Sequence, residues 1–165
     1  FEILYWCGIR EGELLALTPA DFDFEKKTLR INKSYQRLQG KDVITTPKTK
    51  KSNRVIQMPD FLCDEIQDYF KQLYGLESDS RIFPLSKYAL KRGMAFGCKA
   101  SGAKVIRIHD LRHSHVSLLI NMGYSAVAIG NRVGHESVEI TYRYAHLFPT
   151  VQKEMADKLN VERGN

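Results

Sequence analysis

Long apolar runs are missing from this chain. The best candidate, residues 116–120, falls far short of the ~20 residues that a bilayer-spanning helix needs, so a membrane bundle is excluded. Cysteine is sparse: Cys7, Cys63 and Cys98 are odd in number, far apart and without Cys-x-x-Cys spacing. That excludes a disulfide framework and reads as reduced thiols in a cytosolic protein. There is no initial Met, no basic n-region and no small-residue cleavage site, so no secretory signal is visible. The chain opens as if inside a helix, and the expectation is a domain excised from a longer protein. Internal repeats and low-complexity stretches are also absent. What remains is 165 residues with 43% hydrophobic and 27% charged side chains and a mean hydropathy of −0.35. Those values fit one folded domain and exclude a disordered tail or a collagen-like fibre.

The net charge of +6 is distributed in blocks. Residues 28–58 carry 8 basic groups against 1 acidic, and residues 86–115 carry 7 against 1. Between them, residues 59–85 carry 2 against 6. Two basic segments folded onto one face would make a polyanion-binding surface; solvated faces are the plainer reading.

Apolar spacing and turn residues predict a mainly helical α+β domain with a small three-stranded antiparallel sheet. A short helix is expected at 12–17, stopped by Thr18-Pro19. Strands are expected at 28–34, 43–46 and 54–58, joined as a meander with a turn at 39–42. Helices follow at 60–74, from a Ser86 cap to about 100, at 108–121 ended by Gly123, at 125–133, at 137–144 and at 151–160.

Several residues could carry chemistry. His109 and His113 are four apart on one helix, a spacing that can present two metal ligands. The zinc-protease pattern needs Glu after the first His, however, and here Asp110 follows with Arg112 between the two imidazoles, so no metal is expected. Asp21-x-Asp23-x-Glu25 lacks the glycine and distal Glu of a calcium loop. His109 and Arg112 lie one turn apart at a helix start, where a permanent guanidinium and the helix dipole suit a phosphate; for this motif alone the plainer reading is that His109 caps the helix and Arg112 pairs with a surface acid. Arg10 opens a helix in Gly-Ile-Arg-Glu-Gly-Glu-Leu, Lys48 sits at the mouth of a hairpin in Thr-Pro-Lys-Thr, and His135 and Tyr144 follow in Gly-His and Tyr-Ala-His-Leu-Phe-Pro. Taken alone, Tyr144 and its neighbour Tyr142 would read as core.

In this order, Arg10, Lys48, His109-x-x-Arg112, His135 and Tyr144 resemble the signature of the tyrosine recombinases, the phage-integrase family, over essentially the whole chain. Gly-Ile-Arg-x-Gly-Glu-Leu-Leu-x-Leu is similar to the family's first box. His-Asp-Leu-Arg-His and Gly-His-x-Ser with Tyr-x-His-Leu-Phe-Pro are similar to its second. The resemblance implies the tyrosine-recombinase catalytic-domain fold over 1–165, with 150–165 as a C-terminal tail and the N-terminal core-binding domain absent. It implies a DNA-breaking and rejoining enzyme that works without a cofactor. Tyr144 would attack the scissile phosphate to give a 3′-phosphotyrosine and a free 5′-hydroxyl. Arg10 and Arg112 would hold the phosphorane, and His135 would add a hydrogen bond. Lys48 would protonate the leaving oxygen, and His109 would assist proton transfer at the tyrosine. Candidate DNA contacts in the basic blocks are Lys33, Arg37, Lys50, Lys51, Arg54, Lys91, Arg92 and Arg107. The implied partners are double-stranded DNA, further copies of the protein (a tetramer in the synapse) and accessory DNA-bending or excision factors, with no membrane. The implied setting is the cytoplasm or nucleoid of a prokaryote or its phage. The rival readings are a type IB topoisomerase-like relaxing enzyme, a DNA-binding module without catalysis, and a metallohydrolase using the His109/His113 pair, which a chelator would inactivate.

Overall fold

The computed structural model describes residues 1–46, 50–144, 146 and 152–163. Two short helices come first, α1 (Glu2–Cys7) and α2 (Glu11–Ala16). They are separated by Gly8, whose left-handed φ of 61° ends α1, a conformation that costs glycine little. Strands β1 (Phe22–Asp23), β2 (Thr28–Ile31), β3 (Ser34–Leu38), β4 (Lys41–Thr45) and β5 (Arg54–Gln57) follow. The helical remainder is α3 (Asp60–Gln72), α4 (Lys87–Ser101), α5 (Ile108–Asn121), α6 (Ala126–Val133), α7 (Val138–Tyr142) and α8 (Gln152–Arg163). No helix among the described residues is long and apolar enough to cross a membrane.

The mainly helical α+β expectation holds, and the starts of α4, α5 and α6 follow from local chemistry. Ser86 Oγ accepts the Ala89 N–H at 3.2 Å and Ser125 Oγ accepts that of Ala128 at 3.3 Å. Each such cap satisfies one orphan donor and is worth ~1 kcal/mol. Asp110 accepts the Arg107 N–H at 2.9 Å and so fixes the start of α5.

The strands pair differently from the expected meander. A three-stranded antiparallel sheet exists, but its order is β1-β2-β5, and β3-β4 is a separate two-stranded hairpin. The extended run splits at Asn32-Lys33, where Lys33 Nζ turns back to Asp21 at 2.6 Å and Thr18 at 3.1 Å. Beyond the split, Tyr35 pairs with Ile44 across a turn whose Gln39 and Gly40 both have positive φ. That turn matches strand twist and leaves β5 to pair with β2, Ile31 opposite Arg54.

The main core gathers Leu4, Ile9, Leu29, Ile31, Ile56 and Leu62 between the helices and the three-stranded sheet. A second cluster, Val116, Ile120, Ile129 and Val133, joins α5 to α6, with Tyr144 packed against it. Cys7, Cys63 and Cys98 are buried free thiols within the main core. The region between the two cores is where the polar residues of the next section converge.

Candidate active site

Arg10 sits at the start of α2, where the chain is extended before the helix begins. Its backbone N–H donates to Glu13 Oε2 and its Nη1 to Glu13 Oε1, both at 2.8 Å. Its Nη2 donates to the Gly134 carbonyl at 3.0 Å. Glu13 is buried, and its two oxygens also accept Arg54 Nη1 at 3.0 Å and Nη2 at 2.9 Å. Burial pushes the Glu13 carboxyl up, but the hydrogen bonds from Arg54 and Arg10 outweigh it and hold the group below the ordinary carboxylate value.

Arg112 is 4% exposed on α5, and its Nη1 donates to the Gly8 carbonyl at 2.6 Å. Burial, then the Arg10 charge, lowers its pKa to about 9, so it stays cationic at neutral pH. Gly8 is required for this contact: a Cβ there would lie 2.3 Å from His115 Cδ2. His115 is itself buried and accepts Arg132 Nε on its Nε2 at 3.1 Å. Burial, then the charges of Arg132 and Arg112, pushes its pKa down to about 4. Arg132 further binds the carbonyls of Trp6 and Gln57, both at 3.0 Å, stitching α6 to α1 and β5.

His135 follows the left-handed Gly134 that ends α6. Its Nδ1 meets Thr141 Oγ1 at 2.8 Å. Burial, then Arg112 and Arg10, lowers its pKa to about 4. The ring is therefore neutral.

Tyr144 packs beside α5, and its hydroxyl hydrogen-bonds His113 Nδ1. Burial raises its pKa above the ordinary phenol value, and the opposing charges of Arg112 and Arg143 do not cancel that rise. The His109 ring stands edge-on to His113 with centroids 4.6 Å apart. Burial, then His113 and Arg112, pushes the His109 pKa down. His109 and Arg10 also line an open cleft of ≈ 690 Å³ bounded by β3 and the start of α4.

Arg10 and His109 thus border one cleft, and Arg112 lies within electrostatic reach of Arg10, His109, His135 and Tyr144, while Lys48 lies outside the described residues. The candidate DNA contacts divide. Lys91 and Arg92 are exposed on α4. Arg107 is exposed and paired with Asp110, and Arg37 is exposed and paired with Asp42. Lys51 Nζ donates to the Glu136 carbonyl at 2.9 Å, and Lys33 is paired with Asp21. Of Lys50 the backbone alone is described. Arg54 is placed inward rather than on a surface: its side chain is 6% exposed, bound to Glu13 and to the Arg132 carbonyl at 2.9 Å. Sequence reasoning missed Glu13, Thr141 and the part played by His113. The Arg10–Glu13 spacing of one helical turn was the available signal for Glu13, whereas Thr141 gave none.

The phage integrase family model matches residues 1–150. The ICEBs1 integrase of Bacillus subtilis (strain 168) is 38% identical over 174 residues, covering 97% of this chain and 47% of that protein. The integrase of Staphylococcus phage L54a is 30% identical over 176 residues, covering 96% and 50%. The chain therefore spans about half the length of these relatives. Among solved structures, the Tn1549 transposon integrase in complex with a circular intermediate DNA superimposes with a TM-score of 0.79 at 21% identity, over 99% of this chain and 57% of that one. The catalytic domain of bacteriophage HP1 integrase gives 0.62 at 21% identity, over 96% and 79%. These two likenesses establish the fold. With the family model running over residues 1–150, this chain belongs to the phage integrase family.

Proposed function

We propose that residues 1–165 are the catalytic domain of a site-specific DNA recombinase that cuts and rejoins strands through a 3′-phosphotyrosyl intermediate. The observation that supports this reading is that the buried Arg112 lies within electrostatic reach of Arg10, His135 and Tyr144 at once. Such an arrangement suits a phosphodiester. Two guanidiniums grip the non-bridging oxygens, and the neutral His135 ring adds a further donor; one preorganised donor of this kind is worth ~3–4 kcal/mol in a transition state. Tyr144 Oη bonds to phosphorus as the bond to the 5′ oxygen breaks, and that oxygen takes a proton from Lys48. His109, lining the cleft beside Arg10, assists proton movement at the tyrosine. The ester keeps the bond energy, so the 5′-hydroxyl of a new strand can reverse the step without ATP.

The partner is double-stranded DNA, held by its phosphates along the cleft and the exposed Arg37, Lys91, Arg92 and Arg107. Lys51 and Lys50 steer the DNA from the hairpin, while Arg54 and Lys33 serve the scaffold. A core-binding domain belongs to the parent protein outside this chain. Residues 150–165 act as a tail that docks on a neighbouring protomer, giving a tetramer in the synapse, with accessory bending or excision factors. The Tn1549 integrase is described in complex with DNA, which supports this partner.

The test is covalent trapping on a nicked duplex selected from a randomised pool by adduct formation. The unaltered chain should give a protein–DNA adduct. Tyr144→Phe should abolish it while lowering the melting temperature by no more than about 6 °C, because the ring keeps its packing and one hydrogen bond is lost. If Tyr142→Phe abolished the adduct and Tyr144→Phe did not, the nucleophile would be misassigned.

A further inference from the structure

A tyrosine hydroxyl is a poor nucleophile until its proton has somewhere to go. The cationic field expected from the arginines does not remove that proton in the free protein, because burial outweighs it at Tyr144. A proton acceptor in contact with the hydroxyl is therefore needed. Among the described residues, the contact made by the Tyr144 hydroxyl is to His113 Nδ1. His113 stands four residues after His109 on α5, one turn along the same face, with the two rings edge-on at 4.6 Å. His109 borders the open cleft, and the His113 ring lies against both the His109 and the Tyr144 rings.

We propose that His113 is the catalytic base that takes the Tyr144 phenolic proton during attack and returns it when the strand is rejoined. The inference rests on Tyr144 being the nucleophile. In the forward step the Oη–H bond breaks, its proton passes to His113 Nδ1, and the Oη electron pair forms the bond to phosphorus. The P–O5′ bond breaks and the 5′ oxygen leaves as a hydroxyl with the proton from Lys48. On rejoining, the 5′-hydroxyl attacks, its proton returns to Lys48, and His113 reprotonates Tyr144. Charge balances in both directions.

The surroundings fit this role. The titratable groups facing His113 are His109 and Asp110 on its own helix and Tyr144 from the segment after α7. Arg112 and Arg143 act on Tyr144 and favour the phenolate once the proton has moved. The Ser117 hydroxyl donates to the His113 backbone carbonyl at 3.0 Å, so that carbonyl is engaged within α5. Imidazole is the side chain suited to accepting and returning a proton near neutral pH, and a positioned base contributes typically ~10²–10⁴-fold.

The experiment measures single-turnover adduct formation against pH on the selected nicked duplex, for the unaltered chain and for His113→Gln, His113→Asn, His109→Gln and Tyr144→Phe. His113→Gln should slow adduct formation by ~100-fold or more and flatten the rise of rate with pH. Replacing Tyr144 with difluorotyrosine, which releases its proton more readily, should recover about tenfold or more of that loss in His113→Gln and His113→Asn, as expected for a base. The Asn variant serves if Gln disturbs the fold, since its side-chain oxygen falls near the Nδ1 position. A packing role would not produce the fluorotyrosine rescue. Rates for both His113 variants within about threefold of the unaltered chain, a retained pH rise, or no rescue would each overturn the proposal. So would transfer of the whole pattern to His109→Gln. An adduct persisting in Tyr144→Phe, or none from the unaltered chain, would instead overturn the nucleophile reading beneath it.

Discussion

Glu13→Gln is the most informative single change in the scaffold. The carboxylate accepts four N–H donors at 2.8–3.0 Å, two from Arg10 and two from Arg54, and its side chain is 5% exposed. Glutamine keeps the shape but removes the charge and turns one acceptor into a donor facing a guanidinium. Breaking a buried, hydrogen-bonded ion pair costs ~3–5 kcal/mol. At about 2–4 °C per kcal/mol for a chain of this size, the melting temperature should fall by roughly 6–20 °C. The loss has a second component, because Arg10 loses the anchor that aims it at the pocket. Cleavage by the surviving folded protein should drop by ~10²–10³, the cost of one misplaced oxyanion donor. Replacing both partners (Glu13→Gln with Arg54→Met) separates the two effects. The apolar partner relieves the unpaired buried charge and restores part of the stability, while Arg10 stays unanchored and cleavage stays slow. Thermal melts and single-turnover trapping measure the two quantities. A Glu13→Gln protein that melts within about 2 °C of the unaltered one would refute the account of this cluster. Full recovery of cleavage in the double variant would refute the anchoring of Arg10.

Three further outcomes are expected. His115 and His135 are held neutral with folded pKa values of about 4 against ~6.5 unfolded. Their contribution is complete above about pH 6.5 and is lost as pH falls towards 4, at up to roughly 3 kcal/mol for His115; a flat melting curve across that window would contradict it. Gly8→Ala places a Cβ against His115 at φ 61°, so it should destabilise by ~2 kcal/mol or more and slow cleavage by displacing the carbonyl that holds Arg112; unaltered melting and rate would count against the assignment. Met155, Leu159 and Val161 on α8 are all more than half exposed, so deleting residues 150–165 should impair assembly on DNA, read by sedimentation, more than it lowers the melting temperature; unchanged assembly would remove the docking role.

How much of this was legible in the sequence depended on the range of the determining contact. Helix α5 was readable end to end because its start is set within one turn, by Asp110 reaching back to Arg107. The Ser86 and Ser125 caps were readable for the same reason. The sheet was not, because the break at Asn32-Lys33 is imposed by Asp21 and Thr18, 12 and 15 residues from Lys33. The ordered site residues were legible as a pattern of types. Arg54 was read as an outward cation because its partners lie 41 and 78 residues away, and no local spacing reveals a buried ion pair of that kind. His113 was legible as a helical neighbour of His109, but the approach of Tyr144 from 31 residues downstream depends on how α6 and α7 turn the chain.

The charge arrangement connects stability to chemistry. Arg10, Arg54 and Arg112 lie within electrostatic reach of one another, and the carboxylate that faces them is Glu13. In the free protein this excess has a cost, visible in Arg112 held down to about 9 by burial and by Arg10, and in His135 pushed to about 4. A phosphodiester brings one negative charge to such a pocket, and a pentacovalent phosphorane brings two. On the proposed function, the same fixed cations would interact more strongly with the transition state than with bound substrate, and that difference would lower the barrier. Glu13 cannot supply the missing charge, because all four of its contacts are already made with Arg10 and Arg54. It sets the direction of one cation, and on the proposed function the surplus positive charge is left for the phosphate.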